Sequence, residues 1–305
     1  MYTDHDVIIL GSGCAGLTAA IYTGRAGLDT LVLESKIMGG EMVNRQMIEN
    51  YPGFGHGVIG TELSQQMLEQ AETFGASFEN GEAVEIRDKG KFKIVKTEDE
   101  SMTCKAVVIA TGCHPRLLEV PGEKELAGKG VFYCATCDGA QCAGKPVVVS
   151  GGGSSSLTEA LYLAQLGCKV TIVCRSQPRA EQILQDRVEE NENIDLLCNT
   201  DITEILGSDW VSGVKIRDKE SGEEKTLDVQ GIFIRIGLIA NTAFLEDTID
   251  LTPAGQIPVN VRMETELPGV YAAGDIRIDS PKQMATAVGD GATAAMACCE
   301  YINTL

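Results

Sequence analysis

Apolar residues in this chain come in short unbroken blocks, each followed by glycine and then by a mixed segment with helical spacing. Val7–Leu10 leads into a Gly-rich turn, a helical stretch and a second apolar block at Leu31–Leu33. Val147–Val149 begins the same succession again, ending at Val170–Val173. The two segments, VIILGSGCAGLTAAIYTGRAGLDTLVLES and VVVSGGGSSSLTEALYLAQLGCKVTIVCR, lie 140 residues apart. Leu17, Thr18, Ala20, Tyr22 and Gly27 reappear as Leu157, Thr158, Ala160, Tyr162 and Gly167. Unbroken apolar runs read as strands buried on both faces. Each copy therefore predicts a buried strand, a tight turn, a helix and a parallel strand, a βαβ unit.

The first turn is Gly11-x-Gly13-x-x-Gly16, placed between strand and helix, with Glu34 ending the next strand. In that setting the pattern is a dinucleotide fingerprint. Glycines let the backbone approach a pyrophosphate at the positive end of the helix, and the acid can hold ribose hydroxyls. The second copy keeps Gly151 and Gly153 but has Ser156 at the third small position. Cys174 and Arg175 stand where the first copy has Glu34. Loss of the acid and gain of an arginine favour a 2′-phosphate, so NADPH is a candidate here. The competing reading is a βαβ unit kept only for its fold.

These blocks predict an α/β protein with two Rossmann-like, doubly wound domains, the second inserted in the first. Residues 1–114 and 243–305 form one domain, with strand-like segments at VVIATG, ending at Gly112, and GVYAAGD, residues 269–275. Residues 115–242 form the insert. At 305 residues the chain is long enough for two cores. A net charge of −19 excludes a phosphate backbone or an anionic membrane surface as the expected partner. No apolar run is long enough to span a bilayer, and MYTDHDVIIL lacks the pattern of an export signal. Eleven scattered cysteines do not resemble a secreted disulfide framework, which points to a reducing cytoplasm.

Within the insert, Cys134 and Cys137 form a Cys-x-x-Cys followed by Asp138. Zinc needs about four ligands. His5, His56 and His114 are the only histidines and none is nearby, so no metal site is expected. A structural disulfide and a redox dithiol are the other readings. A dithiol near nucleotide-binding βαβ units favours redox chemistry, with Asp138 able to move a proton. Cys298 and Cys299 read as packing in an Ala-rich helix.

Taken together, GSGCAG (11–16), GG (39–40), ENYPGF (49–54), ATG (110–112), CATCDG (134–139) and GVYAAGD (269–275) resemble the low-molecular-weight thioredoxin reductases, over nearly the whole chain. The resemblance implies FAD over Gly11, Gly13, Cys14, Ala15 and Gly16, with Glu34 on the ribose. It also implies Gly40, Glu41 and Asn50, then Ala110, Thr111 and Gly112, in the same site. Gly274 and Asp275 would meet the ribityl chain, and Gln283, Met284 and Ala285 the flavin end. Cys137 would be the thiol nearest the flavin, Cys134 the one attacking a thioredoxin-like partner, and Asp138 the acid/base group. A homodimer with rotating domains is implied as well.

The departure falls on the electron donor. NADPH-using relatives carry His-Arg-Arg-x-x-x-Arg after the second βαβ, whereas this chain has Cys174-Arg175-Ser176-Gln177-Pro178-Arg179, one residue short. Arg175 and Arg179 remain, and Ser156 is bulkier than the alanine usual at its position. The eroded motif leans towards ferredoxin or another donor, which for two electrons is about 6 kcal/mol downhill to a thioredoxin. An ordinary NADPH-dependent reductase is the alternative. A dithiol oxidase using oxygen and a non-catalytic flavoprotein redox sensor are further readings.

Overall fold

Strand β1 (His5–Leu10) enters the first Gly-rich turn, and α1 (Cys14–Arg25) leaves it for β2 (Thr30–Glu34). The chain continues through α2 (Gly60–Thr73), β3 (Ser77–Asn80), β4 (Glu85–Asp88), β5 (Lys93–Lys96), β6 (Ser101–Ile109) and β7 (Cys113–Pro115). Then come β8 (Val131–Phe132), α3 (Ala135–Asp138), β9 (Pro146–Ser150), α4 (Ser154–Gln165), β10 (Lys169–Val173), α5 (Gln182–Glu189) and β11 (Ile194–Leu197). Four strands follow, β12 (Thr200–Gly207), β13 (Val211–Asp218), β14 (Glu224–Leu227) and β15 (Ile232–Ile234). Finally β16 (Leu238–Ala240), β17 (Val270–Ala272) and the long α6 (Met284–Ile302) complete the chain. The computed structural model describes residues 2–45, 47–245 and 248–305.

The chain divides into two compact units, Met1–His114 with Ile239–Leu305, and Pro115–Leu238. In the first, the sheet order is β3-β2-β1-β6-β5-β4. β1, β2, β3 and β6 are parallel, and the hairpin β4–β5 is antiparallel. Strand β17 pairs with the last third of β6, Val107–Ile109. The acidic run Glu98–Glu100 turns the chain from β5 into β6 at the surface. In the second unit the sheet order is β11-β10-β9-β15-β8, all parallel, and β12–β14 form a separate antiparallel sheet.

The α/β, doubly wound architecture expected from the apolar blocks is the one found. The repeat is structural too, because α1 and α4 begin and end at positions 140 apart. Side chains alternate between the faces of each central strand. Val7 and Ile9 face α1, α2 and α6, while Ile8 and Leu10 face the opposite cluster with Leu31, Val107 and Ile257. Cys298 is fully buried in the first of these clusters and Cys299 half-buried, which fits packing rather than chemistry. Among the described residues no helix is long and apolar enough to cross a membrane.

The second unit's core gathers Phe132, Val147, Val149, Leu157, Ile172 and Phe233. The Phe132 and Phe233 rings lie 5.3 Å apart, and Trp210, the chain's single tryptophan, meets Phe132 edge-on at 6.0 Å. Replacing the fully buried Phe233 with alanine should therefore cost about 3–5 kcal/mol. Urea unfolding followed by Trp210 fluorescence reads this unit directly. The midpoint should fall, and an unmoved midpoint would reject the packing account.

Candidate functional site

Three places carry the candidate chemistry. In the first turn, Gly11 takes φ +99°, a conformation that glycine adopts without strain. A methyl group at Gly16 would lie 1.8 Å from the Gly11 carbonyl oxygen, so the helix approaches the strand as closely as backbone allows. A methyl at Gly13, in contrast, would meet nothing within 4 Å. Gly13 caps α1 without a side-chain hydrogen bond, leaving first-turn N–H groups facing that open space. Glu34 is buried beside it. Its Oε2 accepts the Ser12 N–H at 2.9 Å and hydroxyl at 2.7 Å, and its Oε1 accepts the Lys36 N–H at 3.0 Å. The Ser12 Oγ in turn accepts the Gly39 N–H at 2.9 Å, and Gly40 packs against Gly13. An uncapped helix start, open space above it and a buried carboxylate form a donor set that fits a dinucleotide.

Other residues from the expected FAD set meet around this turn. The Ala110 carbonyl lies under Gly11, and the Thr111 hydroxyl and carbonyl both bond Asn241. Gly274 packs on Ala15, and Asn50 Nδ2 donates to Gln283 Oε1 at 3.0 Å across 233 residues of sequence. Burial pushes the Asp275 carboxyl above the usual carboxylate range, against the pull of Lys282 and Ser280. Burial also raises the Cys14 thiol to about 12, with Asp275 adding to it, so Cys14 stays protonated and inert. Glu41 is exposed and accepts from Asn44, and Met284 and Ala285 open α6. Arg277 and Asp290 escaped the sequence analysis. They form a two-pronged ion pair at 2.7 and 2.9 Å, and Asp290 also accepts the Gly274 N–H at 3.2 Å.

In the second unit, Cys134 and Cys137 form a disulfide with their Cα atoms 5.4 Å apart, spanning the single turn of α3. The next residues explain the motif. Asp138 is buried at the end of that turn, with Gln141 Nε2 at 3.4 Å. Gly139 packs on α4, where a methyl group would meet Leu163, Leu166 and Tyr162 at 3.2–3.3 Å. Glu159 and Arg235 hold the dithiol from both sides, and sequence alone did not single them out. Glu159 Oε2 accepts the Ala135 N–H at 3.1 Å, and Arg235 Nη1 donates to the Tyr133 carbonyl at 2.9 Å. The two are an ion pair at 3.1 Å. Burial raises the Glu159 carboxyl, while Arg235 and the Ala135 N–H lower it. Among the described residues no group of His, Cys, Asp and Glu could hold a metal ion.

The second turn differs from expectation at Ser156. Its side chain does not force the helix away, because it is fully buried and its hydroxyl donates to the Arg235 carbonyl at 3.1 Å. Gly151 makes room for that hydroxyl: a methyl there would lie 2.5 Å from Ser156 Oγ. Gly153 again has open space above it and caps α4 without a side-chain bond. The Arg179 N–H reaches back to the Gly152 carbonyl at 2.7 Å. Arg175 and Arg179 are exposed, and neither guanidinium has an ion-pair partner among the described residues. Lys219 joins them, its Nζ 3.1 Å from the Arg175 carbonyl. These cations beside an uncapped helix start fit a nucleotide phosphate.

The sequence matches the pyridine nucleotide-disulphide oxidoreductase family over residues 5–291. It is 45% identical over 303 residues to the thioredoxin reductase of Bacillus subtilis, covering 99% of this chain and 96% of that protein. Against the thioredoxin reductase of Listeria monocytogenes it is 44% identical over 304 residues, covering 99% and 95%. The crystal structure of thioredoxin reductase from Streptococcus pyogenes is similar with a TM-score of 0.91 at 40% identity, covering 99% of each chain.

Replacing Gly16 with alanine should strip the protein of flavin, since the new methyl collides with backbone that no rotamer can move. The flavin-to-protein absorbance ratio of the purified variant should drop by more than half. A ratio equal to that of the parent would show that the close approach is not needed for cofactor binding.

Proposed function

The chain belongs to the pyridine nucleotide-disulphide oxidoreductase family, and from that premise we propose that it is a thioredoxin reductase whose electrons come from NADPH. FAD is the cofactor of this enzyme type. Bound FAD supplies a two-electron carrier between a nicotinamide and a disulfide. We assign its pyrophosphate to the α1 start, its ribose to Glu34 and its ribityl chain to Asp275, with Asn50 and Gln283 at the flavin end.

One observation carries the donor assignment. Arg175, Arg179 and Lys219 present three cations at an uncapped βα turn, and Cys174 stands where an acid would repel a 2′-phosphate. Sequence alone leaned towards ferredoxin or another donor because the motif had lost a histidine and an arginine. Lys219 restores a cation from the turn after β13, and Ser156 is accommodated without opening the turn.

The dithiol does the protein-level chemistry. In the reduced pair, the Cys134 thiolate attacks one sulfur of the partner disulfide, forming a mixed disulfide and releasing the partner's other sulfur as a thiolate. Asp138 supplies the proton that this leaving thiolate takes up. Cys137 then attacks the Cys134 sulfur, reforming the Cys134–Cys137 disulfide, and the partner's second sulfur leaves as a thiolate and takes up the proton that Cys137 gave up. Two electrons move from the pair to the partner, and the partner leaves as a dithiol. Arg235 and Glu159 position the backbone on either side of Cys134 throughout. A thioredoxin is the partner we assign, and a homodimer the working form. The nine other cysteines are free thiols, as a reducing cytoplasm would keep them.

Anaerobic mixing of the FAD-loaded protein with NADPH tests the donor. The flavin band should bleach at micromolar NADPH. Bleaching by reduced ferredoxin alone would overturn the donor assignment. Arg175→Ala with Arg179→Ala should raise the KM for NADPH by about tenfold or more while leaving kcat within about twofold, as loss of charge-assisted phosphate bonds requires. The Cys134→Ser variant should lose thioredoxin turnover yet still bleach with NADPH. Unchanged turnover in that variant would remove the dithiol mechanism, and turnover with oxygen in place of thioredoxin would favour a dithiol oxidase.

A further inference from the structure

Two cysteines outside the active pair lie side by side. Strands β10 and β11 run parallel with Val173 opposite Leu197, so Cys174 and Cys198 are the residues just past the end of each strand. The Cys174 N–H donates to the Leu197 carbonyl at 2.9 Å, and the two Sγ atoms are 3.6 Å apart. Neighbouring strands sit about 4.8 Å apart, within the Cα separation of roughly 4.4–6.8 Å that a disulfide spans. Cys174 is buried, whereas Cys198 is half-buried. Cys198 is followed by Asn199 in the left-handed region at φ +51°, and Thr200 ties the bend down. The Thr200 N–H bonds the Cys174 carbonyl at 3.0 Å, and its hydroxyl bonds the Cys198 carbonyl at 2.8 Å.

The pair also abuts the second nucleotide turn. A methyl on Gly152 would lie 3.1 Å from Cys174 Cβ and 3.7 Å from its Sγ. Arg175 follows directly, and Lys219 is held to both Asn199 and Arg175 by hydrogen bonds of 2.8 and 3.1 Å. Any closure of the two sulfurs acts on the strand end that carries these groups.

We propose that Cys174 and Cys198 are a second oxidisable thiol pair, which closes to a disulfide by exchange with a low-molecular-weight disulfide and loosens the adjacent nucleotide turn. Cys198, the more exposed of the two, reacts first. Its thiolate attacks RS–SR, a Cys198 S–SR bond forms, and RS⁻ leaves with the proton Cys198 gave up. Cys174 then attacks the Cys198 sulfur, the protein disulfide forms, and a second RSH departs with the Cys174 proton. Two protein thiols are oxidised and one small disulfide is reduced to two thiols. Burial, with the neighbouring thiol adding to it, raises Cys174 to about 12, so it does not react first. Closing the sulfurs from 3.6 Å to a bond of about 2.05 Å displaces the end of β10 beneath Gly152 and Arg175.

The effect on the turn rests on the NADPH reading, whereas the existence of the pair does not. The test uses FAD-loaded protein carrying Cys134→Ser and Cys137→Ser, so that the active dithiol cannot interfere. It is incubated with bis(2-hydroxyethyl) disulfide, alkylated and mapped by mass spectrometry. A peptide pair joined through Cys174 and Cys198, released by dithiothreitol, is the expected result. The NADPH concentration giving half-maximal flavin bleaching should rise severalfold in the oxidised protein. It should not rise when Cys198→Ser is added. Both cysteines alkylated, or a mixed disulfide on Cys198 with no joined peptide, would overturn the pair. A joined peptide with unchanged NADPH dependence would overturn the loosening of the turn. Failure of NADPH to bleach the untreated protein would sink the donor reading, and the peptide map would still decide the pair.

Discussion

How near a helix can come to the strand before it governs the first unit. α1 stands so close to β1 that the Gly11 carbonyl fills the space of a methyl at position 16. On its other side, α6 presses in until a methyl at Gly291 would lie 2.2 Å from the Ala15 carbonyl. Small residues on both helices follow from this, and so does the position of the α1 start at the C-terminal end of β1. Backbone N–H groups cannot reach a pyrophosphate unless the helix begins there. Glu34 reinforces the arrangement by tying Ser12, and through it Gly39, to the end of β2. The dinucleotide site we assign is a consequence of close packing more than of any one polar residue.

The second copy meets the same constraint with a different device. Ser156 replaces the glycine, and its hydroxyl is satisfied by the Arg235 carbonyl at the end of β15. A buried hydroxyl left without a partner would cost about 1–3 kcal/mol, so the serine depends on that contact. The Arg235 side chain then reaches the Tyr133 carbonyl and Glu159, whose carboxylate holds the Ala135 N–H. A substitution that looks like decay in the turn is thus one end of a chain of contacts leading to the dithiol within the same unit. In a buried network of this kind, removing either charge leaves the other unpaired, so its members stand or fall together.

Local signals in the sequence were enough to predict the repeat, the two glycine turns, Glu34 and the Cys134–Cys137 pair, because each is a pattern within about 30 residues. Contacts made across long separations were not legible. Arg235 sits in the apolar run Ile232–Ile236, where an arginine reads as an interruption, and nothing local shows that it meets Glu159. Arg277 and Asp290 are 13 residues apart on different elements, with no spacing rule to join them. Ser156 read as a defect because steric size is visible in a sequence and a hydrogen-bond acceptor 79 residues away is not. Counting arginines in one motif missed Lys219 for the same reason. The motif holds two of the cations, and the third arrives from the turn after β13.

The acidic surplus makes that local arrangement necessary. A protein of net charge −19 repels a polyanionic nucleotide at long range. At physiological ionic strength that repulsion is screened beyond about 8 Å. Recognition must therefore come from groups within a few ångströms: uncapped helix starts, backbone N–H donors and guanidinium groups not already spent on carboxylates. Several arginines and lysines are already paired with acids, as Arg277 with Asp290 and Lys215 with Glu204. Among the described residues Arg175 and Arg179 have no ion-pair partner beside the Gly153 turn, in a chain where acids outnumber bases by 44 to 25. Cations gathered beside an uncapped helix start favour an anionic ligand at that turn over a turn that keeps only its fold.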